Sequence, residues 1–138
     1  MDTDKPNKIL VVDDDDAIRA LVERVLKREK FEVESARDGF EAIEKLSRGD
    51  YATILLDLMM PRVDGHGVLR YLERECPAEP KPAVIVMTAN LQGARNAIED
   101  RPDYRVLAKP FDIRQLISHV RELSGVAASV RATLANLC

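Results

Sequence analysis

Apolar residues in this chain come in short runs that switch between two periods. Ile9-Leu-Val-Val12 is apolar throughout, and Tyr51-Ala-Thr-Ile-Leu-Leu56 nearly so. Ala83-Val-Ile-Val-Met87 and Tyr104-Arg-Val-Leu-Ala108 are of the same kind. Runs of this length read as strands, and a continuously apolar one is buried on both faces. Strands are therefore expected over 8–13, 51–57, 83–87 and 104–108, with 51–57 central. Phe31-Glu-Val-Glu-Ser-Ala36 alternates instead, as an edge strand with one buried face does. Between the strands the period becomes helical. A helix is expected from Ala17 to about Glu29, capped by Asp16, with Ile18, Leu21, Val22, Val25 and Leu26 on one face. Asp38 and Glu41 make a capping box for a helix to about Ser47, with Ala42, Ile43 and Leu46 inward. Asp64 is the expected cap of a third helix to about Glu75. A weakly anchored helix follows over 91–100, and a last one over 111–123 turns Ile113, Leu116, Ile117 and Val120 inward.

Strands alternating with helices make an α/β protein, and the general rules of chain connection lead to a doubly wound parallel sheet. Ligands of such sheets bind beyond the carboxyl ends of the strands. Those ends carry Asp13 and Asp14, Asp57, Thr88, and Lys109. Only the edge strand 31–36 contributes no polar end. Three carboxylates, a hydroxyl and an ammonium group suit a divalent cation together with a phosphoryl group. Without metal the carboxylates repel one another. Mg²⁺ prefers oxygen ligands and keeps several waters, which leaves room for a phosphoryl oxygen.

Composition narrows the function by exclusion. The 138 residues fit one domain. Net charge is −3 and aromatics are 4%, so neither a basic stripe nor a stacking platform for nucleic acid is expected. No apolar run reaches the length of a membrane span, and residues 1–7 lack the apolar stretch of a signal peptide. A cytoplasmic protein is expected. Cys76 and Cys138 are too few for a disulfide framework and make no metal motif. The domain is expected over 8–123, after a disordered segment 1–7. The tail 124–138 places Val126, Val130, Leu134 and Leu137 at helical spacing. It reads as a short helix packing back on the domain, as a dimer contact, or as a linker.

Five motifs follow one another, each at a strand end: Ile9-Leu-Val-Val-Asp-Asp14, Leu55-Leu-Asp-Leu-Met-Met-Pro61, Asp64-Gly65, Met87-Thr-Ala89 and Lys109-Pro-Phe111. In this combination the chain resembles the receiver domain of two-component response regulators. The resemblance implies a flavodoxin-like fold with strand order 2-1-3-4-5 and helices on both faces. It implies Asp57 as phosphoacceptor, taking a phosphoryl group from a histidine of a sensor kinase or phosphotransfer protein. Asp13, Asp14, Asp57 and the Met59 backbone carbonyl would hold Mg²⁺ or Mn²⁺. Thr88 and Lys109 would bind phosphoryl oxygens, with the Lys109-Pro110 bond cis. The implied output is a switch in protein contacts, reset by self-catalysed dephosphorylation, with the downstream protein target on the 91–123 face. One position departs from the family pattern: Val106 stands three residues before the lysine, where the family usually has Tyr or Phe.

Competing functions fit the residues less well. A haloacid-dehalogenase-like phosphatase needs a second Asp two residues after the nucleophile, and Met59 stands there. A flavodoxin-like nucleotide or flavin module needs a Gly, Ser and Thr-rich first loop, and Asp13-Asp-Asp-Asp16 replaces it. A degenerate receiver used only as a docking scaffold would have lost site residues, and all are filled. Asp15 is expected to be solvated, and His66 and His119 to lie away from the chemistry.

Overall fold

The computed structural model of the chain describes residues 8–49, 51–58, 65–76, 81–89, 92, 94–95 and 104–123. Lys8–Val12 (β1), Asp16–Arg28 (α1), Glu32–Ala36 (β2), Gly39–Arg48 (α2), Thr53–Asp57 (β3), Gly65–Arg74 (α3), Ala83–Thr88 (β4) and Tyr104–Ala108 (β5) follow in order. A last helix spans 113–123. The strands form one parallel sheet in the order β2-β1-β3-β4-β5. Parallel neighbours cannot be joined by tight turns, so each connection crosses a face of the sheet.

Side-chain alternation along the strands divides the core in two. Leu10, Val12, Ile54, Leu56, Val84 and Val86 pack with Ala42 and Leu46 of α2 and Val68, Leu69 and Leu72 of α3. Ile9, Val11, Leu55, Ile85, Met87 and Leu107 pack on the other side with Val22 and Leu26 of α1 and Leu116, Val120 and Leu123 of the last helix. β3 and β4 are buried at every residue, as their continuous apolar runs require. β2 and β5 form the edges.

The helix ends differ from expectation in small, explicable ways. Asp15, not Asp16, caps α1: its carboxylate accepts the Ala17 and Ile18 amides. The Asp13 carboxylate accepts the Asp15 amide and turns the chain one residue early, so Asp16 is already helical and pairs with Arg19. Leu21 lies outside the buried stripe of α1 and is 44% exposed. At the other end of α1, Lys30 has φ 74 and donates its amide to Lys27, while Phe31 donates to Leu26. That is a Schellman ending with a lysine where glycine is usual. Asp38 caps α2 by accepting the Glu41 amide, and Glu41 reaches back to the Arg37 amide. Asp64 and most of the expected 91–100 helix lie outside the described residues, as do 1–7 and the tail 124–138. Residues 92, 94 and 95 are helical, and Ala94 is buried.

Candidate functional site

The alternation that builds the second core layer also aims the site. Asp13 continues the series Ile9, Val11; Asp57 continues Leu55; Lys109 continues Leu107. All three therefore leave the sheet on the side of α1 and the last helix, just past the last apolar layer. Register sets their level, because Val12 pairs with Leu56 and Asp57 with Met87.

Asp13 is fully buried and Asp57 is 4% exposed. Buried carboxylates are costly unless paired, and Lys109 pairs with both. Its Nζ donates to Asp13 Oδ2 at 3.0 Å and to Asp57 Oδ2 at 3.3 Å. The lysine is anchored through its backbone, where its amide donates to the Thr88 carbonyl at 2.8 Å. The Lys109-Pro110 bond is cis. Burial works against the lysine's charge, but the hydrogen bond to Asp13 and the charges of Asp13 and Asp57 outweigh it. Its pKa is raised above the usual lysine value, so it stays cationic throughout the physiological range.

Asp14 is exposed beside this pair, and oxygens of Asp13, Asp14 and Asp57 lie within 4.8 Å of one another. Among the described residues, one ammonium group stands against three carboxylates, an excess of negative charge. An all-oxygen donor set, open to water on the Asp14 side, fits a hard divalent cation. Thr88 is buried at the end of β4, level with Ala108, the residue before Lys109. Met59 lies outside the described residues.

Two contacts complete the site and were not read from the sequence. Arg19, in α1, donates from Nη1 to the Asp13 carbonyl at 2.8 Å. Gly65 starts α3 against the end of β3, its amide bonded to the Leu58 carbonyl at 3.1 Å. A Cβ there would stand 2.4 Å from Leu58 Cα and 2.6 Å from the Asp57 carbonyl oxygen. Only glycine allows this approach, which explains Gly65 at this place in the sequence. The competing phosphatase assignment still lacks an acid two residues beyond Asp57. His66 is exposed and His119 is partly buried on the last helix.

The sequence model of the response regulator receiver domain matches residues 9–121. The chain belongs to this family. The receiver is 39% identical over 121 residues to the transcriptional regulatory protein SrrA of Staphylococcus aureus, covering 85% of this chain and 47% of that protein. It thus spans about half the length of the relatives it matches. Among solved structures, the receiver domain from Bermanella marisrubri is 41% identical with a TM-score of 0.72, over 85% of this chain and 97% of that one. The Francisella response regulator 1452 receiver domain is 29% identical with a TM-score of 0.77, over 86% and 97%. The receiver's pocket of Asp13, Asp14, Asp57 and Lys109 lies at the strand ends, where its fold places ligands. Among the described residues no helix is long and apolar enough to cross a membrane.

Proposed function

We propose that Asp57 is the phosphoacceptor of a Mg²⁺-dependent phosphorelay in the cytoplasm. The observation that carries this is the Asp57 carboxylate itself. It ends the central strand, stands 3.3 Å from the Lys109 ammonium, and shares an oxygen cluster with Asp13 and Asp14. Phosphoryl transfer needs mainly positioning and neutralisation of charge.

In the proposed step an Asp57 carboxylate oxygen attacks the phosphorus of a phosphohistidine. The P–O bond forms as the P–N bond breaks, and the imidazole leaves. The donor histidine belongs to a sensor kinase or a phosphotransfer protein. Asp13, Asp14 and Asp57, with the Met59 carbonyl, would hold Mg²⁺ or Mn²⁺, which supplies positive charge against the phosphoryl oxygens. Lys109 supplies a second positive charge from a fixed backbone. Thr88 donates its hydroxyl to a phosphoryl oxygen. Water attacking the acyl phosphate returns the carboxylate and inorganic phosphate, so the domain resets itself and acts as a switch, not a turnover enzyme.

The downstream partner is a protein that reads the 91–123 face. Val106 is partly buried against the same core layer as Tyr104. A β-branched side chain has stiff χ1 preferences and no polar handle, so Val106 does not act as an aromatic rotamer switch.

Incubation with Mg²⁺ and a small phosphodonor tests the phosphoacceptor. Intact mass should rise by one phosphoryl group in the wild type and stay unchanged in Asp57→Asn. Full labelling of that variant would show that another residue is the acceptor. Full labelling in excess chelator would remove the metal from the scheme.

A further inference from the structure

We infer that Arg19 is a positioning residue for the metal site: it fixes the peptide plane between Asp13 and Asp14 and so sets where the Asp14 carboxylate stands. This rests on the reading of Asp13, Asp14 and Asp57 as a cation site. Asp13 is held at every polar group. Its amide donates to the Ala36 carbonyl at 3.2 Å, Oδ1 accepts the Asp15 amide at 2.8 Å, and Oδ2 accepts Lys109 at 3.0 Å. Its carbonyl accepts Arg19 Nη1 at 2.8 Å. Asp14 is in the opposite situation. Its side chain is exposed, and among the described residues no group holds its carboxylate. Its position therefore comes from its backbone. The peptide unit is planar, so a bond to the Asp13 carbonyl also orients the Asp14 amide and Cα. Arg19 is suited to this task. Its side chain is 17% exposed, and Nη2 is steadied by Asp16.

Charge and position predict opposite results when Arg19 is removed. Its guanidinium is a positive charge close to the site, so on charge alone Arg19→Ala binds a cation more tightly. If Arg19 positions Asp14, the same variant binds more weakly, by about 10-fold or more, as groups that orient metal ligands typically do. Arg19→Gln loses the same charge but keeps an N–H donor on a shorter stem, so its loss should be smaller.

The test is a Mg²⁺ titration of the full chain followed by amide NMR shifts, with thermal unfolding in chelator to confirm folding. Weaker binding by Arg19→Ala, with partial rescue in Arg19→Gln, is the expected result. Equal or tighter binding by Arg19→Ala overturns the inference. If Arg19→Ala does not fold, Arg19→Gln decides in the same way: weaker than wild type supports the role, and equal or tighter binding overturns it. A wild type that does not bind Mg²⁺ overturns the cation site itself, which is a separate outcome.

Discussion

Asp14 and Asp13 are chain neighbours with opposite surroundings. Asp13 is buried and held on all sides, while the Asp14 side chain faces water. Without a cation, Asp14 adds repulsion to a cluster in which the Lys109 ammonium is already shared by Asp13 and Asp57. Asp14→Ala should therefore raise the melting temperature in chelator. On the proposed cation site it should also shrink the stabilisation by Mg²⁺, because one of the proposed ligands is gone. Thermal unfolding with and without Mg²⁺ checks both signs, and a lower melting temperature in chelator would contradict the repulsion. Three members of this cluster were legible in the sequence, since Asp13, Asp57 and Lys109 each close an apolar strand. Four consecutive aspartates are chemically alike, so which one caps α1 was not legible. Tertiary geometry selects Asp15. Arg19 was not legible either, because its partner is a backbone carbonyl, which every residue possesses.

Helix ends are where single substitutions should show most clearly at the scale of elements. Gly65→Ala drives a methyl group into the backbone of Asp57 and Leu58. α3 must then shift away from β3, at a cost of about 1–3 kcal/mol, typical of overpacking. The peptide of Asp57, the proposed phosphoacceptor, moves with it, so phosphorylation from a small donor should slow as stability falls. Denaturant unfolding and a labelling time course check the two effects together; unchanged values in both would mean that the strand end yields freely. Lys30→Gly should act in the other direction. A left-handed lysine costs about 1–2 kcal/mol, and the extra freedom of unfolded glycine returns about 0.5–1 kcal/mol of that. The net gain should lie between about 0 and 1.5 kcal/mol, read as a higher denaturation midpoint. The strands were legible because burial on both faces leaves a continuous apolar run. The inward face of α1 was drawn too wide, since periodicity placed Leu21 with Val22, whereas packing uses a narrower stripe centred on Val22 and Leu26.

Across the whole molecule, the end of the sheet away from the acidic site has its own charged cluster. Tyr51 donates its hydroxyl to Glu34 Oε1 at 2.6 Å, and Lys8 pairs with Glu34 Oε2 at 3.0 Å while lying over the Tyr51 ring. The Tyr51 hydrogen bond, against the opposing effect of burial and with help from Lys8, holds the Glu34 carboxyl below its ordinary 4.5. A lowered carboxyl pKa stabilises the fold above the unfolded value and ceases to do so as pH falls through the folded one. Tyr51→Phe should therefore cost about 1 kcal/mol at neutral pH, a figure kept small because Glu34 is partly exposed. The difference from wild type should shrink in acid, and a pH series of urea unfolding would reveal a constant difference if the bond to Glu34 were not its cause. One edge of the sheet was legible, since alternation marked 31–36, and the full order followed only from the family resemblance; this cross-strand cluster depends on register and was not legible. At the opposite end, the lysine between Asp13 and Asp57 has a consequence for how the domain can be used. An internal counter-ion already offsets part of the charge of the buried carboxylates, so the fold should form without metal, unlike small domains whose folding free energy is their metal-binding energy. On the proposed function, chelation should block phosphorylation of Asp57 without unfolding the domain, so that ion and phosphoryl supply would gate the site while the rest of the surface keeps its shape.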